Sequence, residues 1–216
     1  CIRDRRIKAI IPMAPVEWGR RVETILTQMK EKHPLVHGIR RIMEFDKDPR
    51  ALTLSENFID GVNCLERFGY SFDINPNYTQ MDIIREFVPK ISSGVPMILD
   101  HCGKPGIAQG ALSQFREDLR DLARYKNMWV KLSDLPPYAG PSWTRDQIFP
   151  YIAATIDIFG PERVIYAGDY PILLQSTTME DWVDLLDEAF AKLGLTEKET
   201  RMIYRDNAIS FYKLDV

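Results

Sequence analysis

Several features that would place a protein in a special class are missing from this sequence of 216 residues. No apolar run approaches 18 residues, which excludes a transmembrane helix. Positive and negative charges are nearly balanced, with 28 lysines and arginines and 31 acidic residues. The net charge of −3 gives no basic field for nucleic acid or an anionic membrane. No low-complexity tract divides the chain. The composition, with 45% hydrophobic residues, therefore indicates a single globular α/β or α+β domain over residues 1–216.

Cysteine is scarce too. The three cysteines, Cys1, Cys64 and Cys102, are an odd number, widely spaced and without a C-x-x-C pair, so a disulfide scaffold is excluded. We expect a reducing, cytoplasmic location in which Cys64 and Cys102 are small buried residues. Because the chain does not begin with Met and its first predicted strand starts at residue 7, we also expect a missing upstream segment.

Short runs rich in β-branched and apolar residues recur along the chain and predict six β-strands. The runs begin about 31 residues apart on average, which is the length of one β–loop–α unit. Amphipathic helical patterns fill the gaps between them. The predicted strands cover residues 7–12, 36–41, 69–74, 95–100, 128–133 and 163–168. The predicted helices lie around residues 22–29, 56–68, 83–88, 115–123 and 149–156, followed by two with capping boxes at Thr177…Glu180 and Thr196…Glu199.

This alternation of strands and helices predicts parallel strands joined by right-handed crossovers. Two architectures fit it, a doubly wound open sheet and a TIM (β/α)8-type barrel. The sequence contains no G-x-G-x-x-G or G-x-x-x-x-G-K turn, which disfavours the nucleotide-binding open sheet. Polar residues instead follow the strand ends, where barrel enzymes gather their chemistry. We therefore predict an α/β barrel that lacks its first two βα units.

The candidate catalytic residues are His101 and Asp169, each at the end of a predicted strand. His101 is either a satisfied structural histidine or a metal ligand, electrophile or general acid. Asp169 is either a turn residue before the next helix or a general base that activates water. The other two histidines, His33 and His37, are separated by Pro34, and we expect them at the surface.

Charged residues at other strand ends are further candidates. Arg40 and Arg41 are adjacent in one strand, so only one of them can face the barrel interior, where it would bind a substrate anion or sugar. For Lys104 and Lys131, structural ion pairing is the alternative to substrate contact. Glu17 is a candidate metal ligand or a solvated loop acid.

Several segments resemble the amidohydrolase-2 family of TIM-barrel metal-dependent hydrolases, which includes sugar lactonases and a pyrone-dicarboxylate lactonase. Asp100-His101-Cys102-Gly103-Lys104-Pro105 resembles the family's "DHxGKP" strand, and Gly38-Ile39-Arg40 its "GIR" strand. Lys131-Leu132-Ser133 resembles "KLSG", and Asp169-Tyr170-Pro171 resembles the end of "GSDWP". Asn207-Ala208 with Phe211-Tyr212 is similar to the closing "NAxxFY". These motifs occur in the family's order across the whole chain.

The resemblance implies that the six predicted strands are strands three to eight of the barrel. It implies that Asp169 activates water and that a divalent metal, zinc first, is held by His101, Asp169 and Glu17. Arg40, Arg41, Lys104 and Tyr170 are then the candidate substrate-binding residues. The sequence departs from the family in having no H-x-H metal pair and in having Asp134 where "KLSG" has glycine.

The leading hypothesis is therefore a hydrolase that opens a small sugar or dicarboxylate lactone with a water activated by Asp169. The small-molecule substrate would be the main partner, beside a possible homo-oligomer. The absent H-x-H pair supports an alternative, a catalytically impaired barrel fragment that serves as a binding or assembly module. A decarboxylase of the wider family is a third option.

Overall fold

A computed structural model describes residues 6–216, so Cys1 lies outside the described residues. The centre of the fold is a parallel sheet in which five strands follow one another in chain order. This order is what successive right-handed βα units produce. The strands are β1 (Gly38–Ile42), β2 (Ser71–Asn75), β3 (Met97–Leu99), β4 (Met128–Leu132) and β5 (Val164–Tyr166).

Helices connect the strands, and those predicted from the sequence are confirmed. No helix within residues 6–216 has both the length and the apolarity needed to cross a bilayer. The helices are α1 (Glu23–Lys32), α2 (Pro49–Thr53), α3 (Glu56–Asn63), α4 (Leu65–Phe68), α5 (Met81–Phe87), α6 (Leu112–Ala123), α7 (Arg145–Phe159), α8 (Met179–Leu193), α9 (Glu197–Arg201) and α10 (Asn207–Tyr212).

Residues 7–12, predicted as a strand, have a less regular structure. The segment runs parallel to β1 and forms two isolated bridges, Ile10 with Val36 and Met13 with Arg40. The amide of Arg40 donates to the carbonyl oxygen of Pro12 at 2.9 Å. Because proline has no N–H to donate, the pairing does not continue as a ladder. The prediction of six strands is thus corrected to five regular strands with an extended segment beside β1.

Two helix boundaries also differ from the prediction. The side chain of Thr178, rather than Thr177, accepts the capping hydrogen bond of α8 from the amide of Asp181. The predicted helix at 56–68 is divided at Cys64 into α3 and α4, and Gly61 lies inside α3 without interrupting it. A Cβ on Gly61 would lie 1.9 Å from the carbonyl oxygen of Val16. The glycine therefore permits close packing of α3 against the turn at Val16–Val22.

The two faces of the sheet differ in chemistry because successive strand residues point to opposite sides. On one face, Phe72 and Val130 belong to the main apolar core beneath the helices. On the other, Ile98 packs against the end of α10 in a smaller apolar cluster. Asp73 follows Phe72, and Lys131 follows Val130, so these charged residues share the second face with Ile98. This face leads to the polar residues at the carboxyl ends of the strands.

Candidate active site

Three polar residues meet at the carboxyl ends of β3, β4 and β5. They are His101, Asp134 and Asp169, and one nitrogen or carboxylate oxygen from each lies within 4.8 Å of the others. All three have positive φ angles, of 52°, 56° and 45° respectively. Such a backbone is unfavourable for residues other than glycine, and it persists where the surrounding structure enforces it. Each side chain is therefore held at the site by a constrained turn.

His101 is fixed from two sides. Its Nδ1 lies 2.9 Å from the hydroxyl oxygen of Ser133, and its Nε2 lies 3.7 Å from Oδ2 of Asp169. Burial lowers the pKa of His101, although the charges of Asp100 and Asp169 act in the opposite direction. The neutral imidazole is the form that binds metal ions or accepts a proton.

Asp134 is the site residue that the sequence analysis did not select. It is fully buried, and neither carboxylate oxygen has a hydrogen-bond partner within 3.5 Å among residues 6–216, although Tyr138 and Asp169 are close enough to influence its pKa. Burial, together with the charge of Asp169, raises the pKa of Asp134 to about 8. A signal was present in the sequence, because Asp134 follows β4 closely, as Asp169 follows β5. This position indicates a site residue only when the ends of β4 and β5 are known to be neighbours in space.

The three side chains fit a divalent cation. One imidazole nitrogen and two carboxylates form a donor set that suits zinc or a similar metal. The two orphaned oxygens of Asp134 are the observation that supports this fit, because buried polar atoms without partners are rare in native proteins. Glu17, expected as a ligand, does not belong to this group; it lies beside Arg41, with 3.6 Å between Oε2 and Nε.

A buried charge network lies behind the site. The ammonium nitrogen of Lys131 lies 2.5 Å from Asp73 and 2.7 Å from Asp100. Arg40 also contacts Asp100, at 3.0 Å, and Tyr212 donates its hydroxyl to Asp73 at 3.1 Å. For Asp100, the charges of Lys131 and Arg40 outweigh burial and lower its pKa, whereas burial raises the pKa of Asp73. The network thus ties three strands and α10 together directly beneath His101.

The candidate substrate-binding residues lie in different environments in the structure. Arg40 faces the interior, and 30% of its side chain is exposed. Arg41 instead pairs with Asp46 at 2.8 Å, and Lys104 pairs with Glu44. Tyr170 is largely exposed, beside Asp169. Of the two adjacent arginines, Arg40 is therefore the one that reaches the site.

The chain is similar to known proteins over most of its length. A family model described as Amidohydrolase matches residues 17–214. An L-fucono-1,5-lactonase of Burkholderia multivorans is 27% identical over 83% of this chain and 63% of its own length. An L-rhamnono-gamma-lactonase of Scheffersomyces stipitis is 26% identical over 98% of this chain and 70% of its own length. The chain therefore spans less than two thirds of the fuconolactonase.

Solved structures resemble the fold. Crystal structures of an amidohydrolase from Burkholderia multivorans, one with bound HEPES and one with bound zinc, have TM-scores of 0.91 and 0.90. Their sequences are 23% and 24% identical to this chain, and the matches cover 99% and 98% of it and 76% and 75% of those chains. At this identity the likeness concerns the fold. It confirms the predicted α/β architecture, in which the five parallel strands form part of a TIM-type barrel.

Proposed function

The chain belongs to the amidohydrolase family, and from this we propose that the protein hydrolyses a small lactone. The convergence of His101, Asp134 and Asp169 at the carboxyl ends of neighbouring parallel strands is the observation that carries the proposal. The lactonase names of two relatives support the substrate class. The cytoplasmic location and the homo-oligomer stay predictions.

Asp169 is the proposed general base. Its side chain is 21% exposed, more than that of His101, so it can reach a water molecule that enters from the solvent. In the reaction, Asp169 accepts a proton from water while the water oxygen bonds to the lactone carbonyl carbon. The ring C–O bond then breaks, and the leaving oxygen takes up the proton held by Asp169, which gives the hydroxy acid and regenerates the base.

The other site residues bind and orient. His101, Asp134 and Asp169 would hold a divalent cation, which would polarise the carbonyl and ease deprotonation of water. Arg40 would bind a carboxylate or hydroxyl of the substrate, because its side chain lies on the interior face of the sheet and is 30% exposed. The side chains of Arg41 and Lys104 are less exposed than that of Arg40, and they pair with Asp46 and Glu44 in the segment after β1, so we place them in loop positioning rather than in substrate binding.

The test compares the wild-type chain with Asp169→Asn and with Asp157→Asn, which changes an exposed aspartate on α7. Acid release from L-fucono-1,5-lactone and L-rhamnono-gamma-lactone is followed by pH-stat with and without added zinc, after subtraction of spontaneous hydrolysis. We expect Asp169→Asn to lower kcat by about 100-fold or more, as removal of a general base does. Asp157→Asn should behave as wild type, and thermal melting should show that both variants are folded.

Two results would contradict the proposal. One is an active wild type whose turnover survives Asp169→Asn. The other is a wild-type protein that hydrolyses neither lactone and whose melting temperature does not change when zinc is added. The alternative hypothesis of a binding or assembly module predicts this second result.

A further inference from the structure

A cavity lies at the opposite end of the sheet from the candidate active site. His37 directly precedes β1, and Tyr70 directly precedes β2, so the cavity opens at the amino ends of these strands. Its volume of about 340 Å³ is within the range of small-molecule sites. Its lining comes from α1, the segments before β1 and β2, and the residue after α10, and includes Lys30, His33, His37, Tyr70 and Lys213.

The lining of this cavity is basic. It includes Lys30 and Lys213, together with two of the three histidines of the chain, His33 and His37. No acidic residue is among the described residues that line it, although acidic residues outnumber basic ones in the chain as a whole. Charges without a neighbouring partner of opposite sign attract a counter-ion, and a concave wall strengthens that attraction.

Several of these groups are held in place by the fold. Lys30 donates to the carbonyl oxygen of Phe68 at 3.1 Å, and its ammonium lies 5.2 Å from the centre of the Tyr70 ring. His37 Nδ1 lies 2.6 Å from the carbonyl oxygen of Tyr212, so this nitrogen carries the hydrogen. The other ring nitrogen of His37 can therefore accept a hydrogen bond from a ligand. Lys30 keeps two further N–H groups for the same purpose.

Tyr70 provides an independent observation. The residue is 1% exposed, and its hydroxyl has no hydrogen-bond partner among residues 6–216. Burial raises the pKa of Tyr70, so the hydroxyl keeps its proton and remains a donor. Buried hydroxyls in native structures almost always find a partner, and an oxyanion that enters beside Lys30 would supply one.

We propose that this cavity binds a small phosphate-bearing ligand. Two lysine ammonium groups supply the positive charge that a phosphate dianion requires, and the tyrosine hydroxyl supplies a further donor. The free ring nitrogen of His37 can accept a hydrogen bond from the P–O–H group of a hydrogen phosphate. The site is separate from the proposed lactonase centre and does not depend on that activity.

Isothermal titration with inorganic phosphate at constant ionic strength tests the proposal. The wild-type chain is compared with a Lys30→Gln, Lys213→Gln double variant and with a matched control, Lys126→Gln with Lys198→Gln, which removes two exposed lysines elsewhere. We expect saturable 1:1 binding to wild type and control. In the Lys30, Lys213 variant we expect affinity to fall by about tenfold or more, because two charge-assisted contacts are lost.

A third variant, Tyr70→Phe, removes only the hydroxyl and should weaken phosphate binding while leaving the melting temperature close to wild type. A titration with glycerol phosphate distinguishes a phosphate monoester from free phosphate as the better ligand; saturable binding of either supports the site. The proposal is overturned if wild type binds neither probe, if chloride at equal ionic strength competes fully, or if the control double variant loses as much affinity as Lys30→Gln, Lys213→Gln.

Discussion

At the scale of single residues, three of the six non-glycine residues with positive φ among residues 6–216 form the candidate active site. His101, Asp134 and Asp169 each occupy the left-handed region, which costs on the order of 1–3 kcal/mol per residue. Glycine would remove that cost but would also remove the side chain. The strained backbone is therefore retained where a functional side chain must point into the site. The charge network around Lys131 lies beside these turns and holds them in place.

Lys131 should be essential to stability. Lys131→Met would leave Asp73 and Asp100 with Arg40 as their remaining strong cation, and loss of one partner from a buried ion pair typically costs about 3–5 kcal/mol. Urea denaturation should show a loss of this size. Because unpaired buried carboxylates have raised pKa values, the folded variant binds protons more tightly than the unfolded chain, and the loss should be larger at pH 8 than at pH 5.

The control for Lys131→Met is Lys126→Met, which changes an exposed lysine in the loop before β4. The free energy of unfolding of this variant should lie within about 0.5 kcal/mol of the wild-type value at both pH values. If Lys131→Met proves as stable as Lys126→Met, the buried charges do not hold the strands together as described.

At the scale of elements, three helices, α7, α8 and α9, begin at a threonine whose side chain accepts a capping hydrogen bond. The structure assigns the cap of α8 to Thr178, whereas the sequence pattern favoured Thr177. Both assignments pair a threonine with an acidic residue three positions later. Only the turn that leads out of β5 determines which of the two adjacent threonines has the extended backbone of an N-cap.

This assignment predicts a difference between two neighbouring alanine variants. Thr178→Ala should lower the free energy of unfolding by about 1 kcal/mol, because the amide of Asp181 loses its acceptor. Thr177→Ala should change it by less than about 0.5 kcal/mol. Urea denaturation of both proteins measures the difference; the reverse order of stabilities would restore the cap predicted from sequence.

At the scale of the whole molecule, buried thiols report whether the fold opens as one unit. Cys64 and Cys102 are free and buried, as the sequence predicted, and burial raises their pKa values to about 11 and about 12. Fewer than about 1% of such thiols are ionised at pH 8, and the thiolate is the reactive form.

In a Cys1→Ser background, we therefore expect neither Cys64 nor Cys102 to react with a disulfide reagent in native buffer. In urea both should react within the mixing time. The native reaction rate should rise with urea in parallel with the unfolding measured by circular dichroism. A fast native reaction of Cys102 would mean that β3 and its neighbours separate without global unfolding.

Much of the architecture follows from sequence patterns alone. Strand positions, most helices and the βα alternation are local properties, set by apolar periodicity, capping residues and turn formers, and five of the six predicted strands are confirmed. His101 and Asp169 were also found from sequence, because each follows an apolar strand directly. The exception, residues 7–12, contains proline, whose effect on a sheet edge depends on what lies beside it.

The tertiary structure decided which polar residues meet. Whether Arg40 or Arg41 faces the interior depends on the register of β1, and a shift of one residue would exchange them. Asp134 stands out only because β4 lies between β3 and β5, which brings its carboxylate to His101 and Asp169. Likewise, the basic cavity joins residues about 180 positions apart, from Lys30 to Lys213. Periodicity determines elements, but proximity across the fold depends on how those elements pack.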